Sequence, residues 1–200
     1  TRFLQLMAAG LALLVSAGWW IAVVEFMPTG MRPYIGGSQT NSVMELVLGY
    51  NGLGRLTGDE TGSVVPGGGS NGAGGGVGGM WGETGIGRMF NSEIGGQVAW
   101  LIPAAVILGF AALWLTRRAK RTDATRTALL VWGGWLAVTM LVFSFMQGIF
   151  HAYYTVALAP AIGAVVGIGA ILLWERRESV FAGTVMAATV LVTAGWAFFL

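Results

Sequence analysis

The sequence predicts an all-α polytopic membrane protein with about five transmembrane helices. Three observations carry that expectation. Charged residues are 10% of the 200, against about 25% in an ordinary soluble domain. Hydrophobic residues are 55%. Long uncharged runs recur, at Phe3 to Val24, Ile94 to Thr116 and Ser179 to Leu200. Each is close to the roughly 20 apolar residues that carry a helix across a bilayer core.

Span A is read over residues 1–24, with Arg2 before its uncharged run. Span B is read over 98–116. Between Arg126 and Glu175 the only titratable groups are His151 and the pair Tyr153 and Tyr154. That run accommodates two more spans, C over 127–147 and D over 155–174, joined by a tight turn at 148–154. Span E occupies 180–200. Lys and Arg collect in loops on the cytoplasmic side. The basic loop "RRAKRTDATR" at 117–126 and the turn "ERRES" at 175–179 lie two spans apart, so both fit inside together. Residues 25–97 and 148–154 then fall outside. The expected location is a bacterial cytoplasmic membrane.

The 25–97 segment is of mixed character. "SQTNSVMELVLGYNG", 38–52, reads as a short surface helix. Ser42 and Glu45 have capping-box spacing, and Asn41 is a second N-cap candidate. Val43, Leu46 and Val47 share a face, and Gly49 or Gly52 is placed to stop it. Residues 62–85 have the composition of a flexible linker. They lack the Gly-Lys-Ser/Thr ending and preceding strand of a nucleotide loop. Pro103 falls in an early turn of span B.

The chain begins with Thr and ends in an apolar run, and is expected to be a piece of a longer membrane protein whose remaining helices partner it. Its first run is long for a signal peptide and carries one arginine before it. With no cysteine, disulfides and thiolate metal sites are excluded. A formal charge of +2 gives no case for nucleic acid. One histidine among scattered carboxylates defines no metal centre, and no cofactor is identifiable. No span carries Arg, Lys, Asp or Glu in its middle, which argues against an ion or proton pathway.

The outer segments collect Glu25, Arg32, Tyr34, Glu45, Arg55, Asp59, Glu60, Glu83, Arg88, Glu93, His151, Tyr153 and Tyr154. Arginine offers a planar fork to phosphate, histidine donates to an anion or moves a proton near neutral pH, and a carboxylate serves as a general base. "GIFHAYYTVALAP", 148–160, has two readings. One is an aromatic belt with a histidine in a turn. The other is a site for an anionic substrate. Pro160 reads as shaping the start of span D.

The stretches "RPYIGGSQTNSVMELVLGYNGLGRLTG", "GIGRMFNSEIGGQVAWLIPAA" and "HAYYTVALAPAIGA" resemble the middle of bacterial family 39-type membrane glycosyltransferases. These are related to the protein O-mannosyltransferases and the aminoarabinose transferase of lipid A. Ala152 stands where the more usual form has proline. The resemblance implies a GT-C bundle with its site on the outer face. It implies inverting transfer of a sugar from a polyprenyl-phosphate donor to an acceptor. The usual catalytic aspartate lies in a first outer loop that nothing here matches. The resemblance assigns donor binding to His151, Tyr153, Tyr154, Arg32 and Arg88. The alternative is a non-catalytic membrane scaffold, or part of a transporter, that binds through its outer loop.

Overall fold

The computed structural model describes residues 2–58, 83–120 and 122–200. Of the glycine-rich stretch 62–85 only 83–85 fall within these, and Asp59 and Glu60 lie outside them. The described residues are helical with no strand, and five helices are long and apolar enough to cross a membrane. The chain forms two compact units.

The first unit holds residues 2–58 and 147–149 of the described chain. Its long helix, α1 (Arg2–Phe26), buries only Val24. A 3-10 turn follows at Thr29–Met31. The predicted surface helix starts at Val43 and not at residue 38. The reason is Glu45, whose Oε2 accepts from Ser38 Oγ (2.6 Å), Gln39 N, Thr40 N and Thr40 Oγ1, so that 38–40 wrap around its carboxylate. Half of the capping box forms: Ser42 Oγ accepts from Glu45 N at 3.2 Å. Asn41 is not the N-cap. It takes a left-handed φ of 55°, which asparagine tolerates, and its Oδ1 accepts from Ile35 N at 2.8 Å. Nor does Gly49 or Gly52 stop the helix. The π-helical segment Glu45–Leu53 kinks at Gly52 and continues into α2 (Gly54–Thr57). The stop comes at Gly58, φ 81°, a left-handed C-cap that favours glycine. The segment 147–149 lies against α2: Gln147 N donates to Leu56 O, Gly148 N to Arg55 O, and Arg55 Nη1 to Ile149 O at 3.1 Å.

The second unit is a bundle. It contains α3 (Gly95–Val98), α4 (Ile102–Thr116), α5 (Ala124–Phe145), α6 (Ala159–Trp174) and α7 (Val180–Phe199). Spans B and D are each entered through a 3-10 segment, Ala99–Leu101 before α4 and Ala152–Leu158 before α6. Pro103 and Pro160 sit in the first turn of the α-helix that follows. Proline has no N–H to give and crowds the carbonyl four residues back, so it is stable only where a helix begins. Residues 148–154 are therefore not a tight turn: the chain is non-helical from 146 to 151 and then enters the 3-10 segment.

α4 and α6 run parallel and in close contact. A Cβ on Gly169 would lie 2.7 Å from Leu108 Cβ and 2.9 Å from Leu108 O, so only glycine permits this approach. Small residues at such crossings raise packing contact where no water drives association. One core cluster joins Ile102 and Ala105 to Leu158, Ala161, Ile162 and Val165, and a second joins Leu108 and Ala111 to Leu173 and Ala182. α5 runs the other way, since Arg126 in its first turn donates to Arg117 O and Ala119 O just past α4. α7 also returns, with Trp196 Nε1 donating to Ala99 O at 3.1 Å. Asp123 and Ser179 cap α5 and α7 by accepting from Arg126 N and Ala182 N. The bundle thus has two unlike ends. One carries the loops 117–126 and 175–179, the other the residues around His151.

Candidate functional site

At the second of these ends the aromatic residues stack into a cluster. His151 precedes the 3-10 segment with extended backbone, φ −96° and ψ 140°, and its carbonyl accepts from Tyr154 N. The imidazole lies parallel to the Tyr153 ring, centroids 5.2 Å apart and planes 9° apart. The Tyr154 ring stands edge-on to both, at 5.5 and 4.8 Å. The 3-10 geometry favours this, because at three residues per turn side chains three apart eclipse, which brings Tyr154 to His151. Tyr153 is 63% exposed, while Tyr154 and His151 are half-buried. The three rings thus pack together at the end of the bundle, beside an apolar support. That support is Phe150, 2% exposed, whose ring meets Tyr154 at 6.0 Å and Phe143 at 5.2 Å. Thr155 beside them is 1% exposed and donates its hydroxyl to Ala152 O at 2.6 Å.

Arg88 belongs to this cluster, in an unforeseen role. Only 3% exposed, it rises from the 3-10 turn Ile86–Phe90 and lies with its Cζ 4.9 Å from the centre of the Phe150 ring. Its Nη1 donates to Phe143 O at 3.1 Å and Met146 O at 2.6 Å. Gly85 N donates to Ser144 O at 2.7 Å. The last carbonyls of a helix have no partner within it, and here residues 85–88 supply them to α5. A cation at the negative end of the helix dipole is favoured. Burial holds the Arg88 pKa below the usual arginine range, although a guanidinium stays charged.

Arg32, in the other unit, does the corresponding work for α1. Its Nε donates to Met27 O at 2.9 Å, Nη1 to Asn41 O at 3.2 Å and to Glu25 Oε1 at 3.3 Å, and Nη2 to Glu25 O. Glu25 in turn accepts from Ser42 Oγ and from Val43 N at 2.9 Å, at the positive start of the next helix. Of the five residues to which the resemblance assigns donor binding, the structure gathers His151, Tyr153, Tyr154 and Arg88 into one cluster. Sequence reading missed Glu25 and Phe150 as supports. The position of Arg32 just past α1 was a usable signal for a C-cap.

A groove of about 520 Å3 opens between α4 and α5. Gly109, Phe110, Leu130, Gly133 and Ala137 line it, and Ile86 and Ser144 bring it to the Arg88 turn. Among the described residues, no three His, Asp or Glu side chains gather closely enough to hold a metal ion.

Fold and site define a class: an all-helical membrane protein with an imidazole–phenol cluster at one end of its bundle. The relatives are more specific. The chain is 28% identical over 261 aligned residues to "Putative mannosyltransferase YkcB" of Bacillus subtilis (strain 168), an alignment covering 90% of this chain and 36% of that one. It is 28% identical over 246 residues to "Putative mannosyltransferase YycA" of the same organism, covering 88% and 36%. The chain therefore spans about a third of the length of these curated relatives. No family model matches it, and no solved structure matches it.

Proposed function

We propose that this chain is the donor-binding portion of a membrane glycosyltransferase of GT-C type, which moves a sugar from a polyprenyl phosphate to an acceptor outside the cytoplasmic membrane with inversion. The observation that carries the reading is the His151–Tyr153–Tyr154 cluster, standing at the bundle end away from the basic loops, in a chain aligned over nearly its whole length with two proteins named as mannosyltransferases. Basic loops face the cytoplasm, so the cluster falls on the other face. In this reading His151 donates a hydrogen bond to the lipid phosphate or its sugar. Tyr153 and Tyr154 offer hydroxyls and ring faces to the sugar. The groove between α4 and α5 has the chemistry an isoprenoid tail needs, and Ile86 and Ser144 connect it to the same end.

In the transfer, an acceptor oxygen attacks the anomeric carbon from the face opposite the phosphate. The C–O bond to the phosphate breaks, and the polyprenyl phosphate leaves with that electron pair. The acceptor proton passes to a carboxylate outside this segment. Negative charge grows on the phosphate as it leaves, and donors held toward it lower the barrier. Arg88 is assigned to positioning in place of phosphate binding, since its guanidinium caps α5 and lies on Phe150.

A hydrogen bond to a charged group contributes about 1.5 to 3 kcal/mol. Substituting His151→Ala is therefore expected to lower sugar transfer by about tenfold to a hundredfold. The assay is transfer from a polyprenyl-phosphate donor by the protein at its natural length in nanodiscs. Val156, 70% exposed, is the control, with V156A expected near the wild-type rate. Wild-type transfer by H151A would return the cluster to an aromatic belt.

A further inference from the structure

The opposite end of the bundle repeats one device. α4 closes on Trp114-Leu-Thr-Arg117 and α6 on Trp174-Glu-Arg-Arg177, the same W-x-x-R spacing. Arg117 lies over the Trp114 ring, its Cζ 3.8 Å from the centroid, and Arg177 lies over Trp174 at 5.3 Å. Each arginine also donates through Nη1 to the carbonyl of its own tryptophan, at 2.8 and 3.2 Å. A side chain that usually sweeps freely is thus held at two points. Because α4 and α6 are parallel, the two held guanidinium groups share one end. Neither tryptophan is core: Trp114 is 58% and Trp174 59% exposed. One turn back on each helix another large apolar side chain is exposed, Phe110 before Trp114 and Ile171 before Trp174.

We propose that these twin pairs form a binding site for the phosphodiester headgroup of an anionic phospholipid. The planar fork of arginine matches phosphate oxygens, and the ring and carbonyl contacts restrain each side chain before the ligand arrives. By covering the last carbonyls, each arginine also offsets the negative helix end that would repel an anion. Ile171, exposed behind Trp174, receives an acyl chain, while Phe110 belongs to the groove between α4 and α5. That continuity of cation, interfacial ring and apolar stripe is the chemistry of a lipid and differs from that of a free anion or an acidic peptide. Basic surfaces beside spans hold anionic lipids in this manner. Arg118 is exposed at the same end but belongs to neither pair, and it supplies the comparison.

The protein at its natural length, in mixed micelles of phosphatidylglycerol and phosphatidylcholine, is read by native mass spectrometry for retained lipid. A several-fold preference for phosphatidylglycerol is expected. R117Q and R177Q should each reduce it by about fivefold, and R118Q by less than twofold. R117K and R177K should fall between, since lysine keeps the charge and loses the fork. Unchanged intrinsic tryptophan unfolding temperatures would show that the bundle is intact. If the Gln variants unfold, the Lys variants decide alone: wild-type preference in both would overturn the site. Equal losses in R117Q, R177Q and R118Q would overturn it in favour of unspecific charge. Displacement of the lipid by excess inorganic phosphate would overturn the lipid assignment.

Discussion

Arg32 and Arg88 each close the C-terminal end of a long helix, and they do so under opposite conditions. Arg32 reaches five and seven residues back, to Met27 and Glu25, and nine forward to Asn41, its side chain is 12% exposed, and Glu25 shares its charge. Arg88 reaches across 55 and 58 residues, is almost wholly buried, and lies on an aromatic ring within the core cluster. The first is a local cap, whose loss frees one loop. The second joins the 85–90 turn, the end of α5 and Phe150, whose ring meets Tyr154, so its loss reaches the candidate site. A buried cation is tolerable there because main-chain carbonyls accept its hydrogen bonds and the helix dipole favours it.

The largest effect is therefore expected at Arg88. R88M removes bonds to two carbonyls of a buried helix end and is expected to cost about 2 to 4 kcal/mol. Tryptophan-monitored unfolding in detergent checks this, and hydrogen exchange at 143–147 should rise with it. An R88M protein as stable as wild type, yet slow in transfer, would break the comparison and return Arg88 to phosphate binding.

Arg32 comes next. R32K keeps a charge but loses the fork that serves Met27, Asn41 and Glu25 together, at an expected cost of about 1 kcal/mol. Hydrogen exchange should rise across 27–44 and stay unchanged at 143–147. Loosening of the α5 end by R32K would show that the cap is not local.

The smallest effect concerns acid. Hydrogen bonds from the Ser38 hydroxyl, then from Thr40 and the amide of Gln39, lower the Glu45 pKa to about 2 from an ordinary 4.5. A depressed carboxylate pKa contributes stability that is full above the unfolded value and lost as pH falls through the folded one. Protection factors at 38–46, the intrinsic exchange rate at each pH divided by the observed one, should thus be steady above pH 4.5 and fall steadily from there toward about pH 2. E45Q should remove that acid dependence. An E45Q profile that still bends over the same range would assign it to another group.

Much of the bundle was legible because hydropathy reports solvent directly. A helix in lipid needs an uninterrupted apolar run and little else, and the uncharged stretches mark helices long and apolar enough to cross. Pro160 was legible as a helix start for a local reason, while Pro103 was read inside an early turn of span B and the structure instead begins α4 at Ile102 beside it. The 3-10 entries before them were not legible, since those turns depend on what the following α-helix packs against. His151, Tyr153 and Tyr154 were legible as a group because they are neighbours in the chain. The capping contacts of Arg88 were not legible, because an arginine in an outer loop has the same appearance in sequence whether it faces solvent or a helix end.

The sequence by itself determined the number of long apolar helices, the helical class and the clustering of the three aromatic polar groups, all consequences of contacts within a few residues. The tertiary structure alone decided which carbonyls Arg88 serves, that its guanidinium lies over the Phe150 ring, and that Gly169 lets α4 and α6 come into close contact. Those depend on backbone groups, which every residue carries alike. Which of them a side chain meets is set by how helices pack, and no local pattern of residues encodes it.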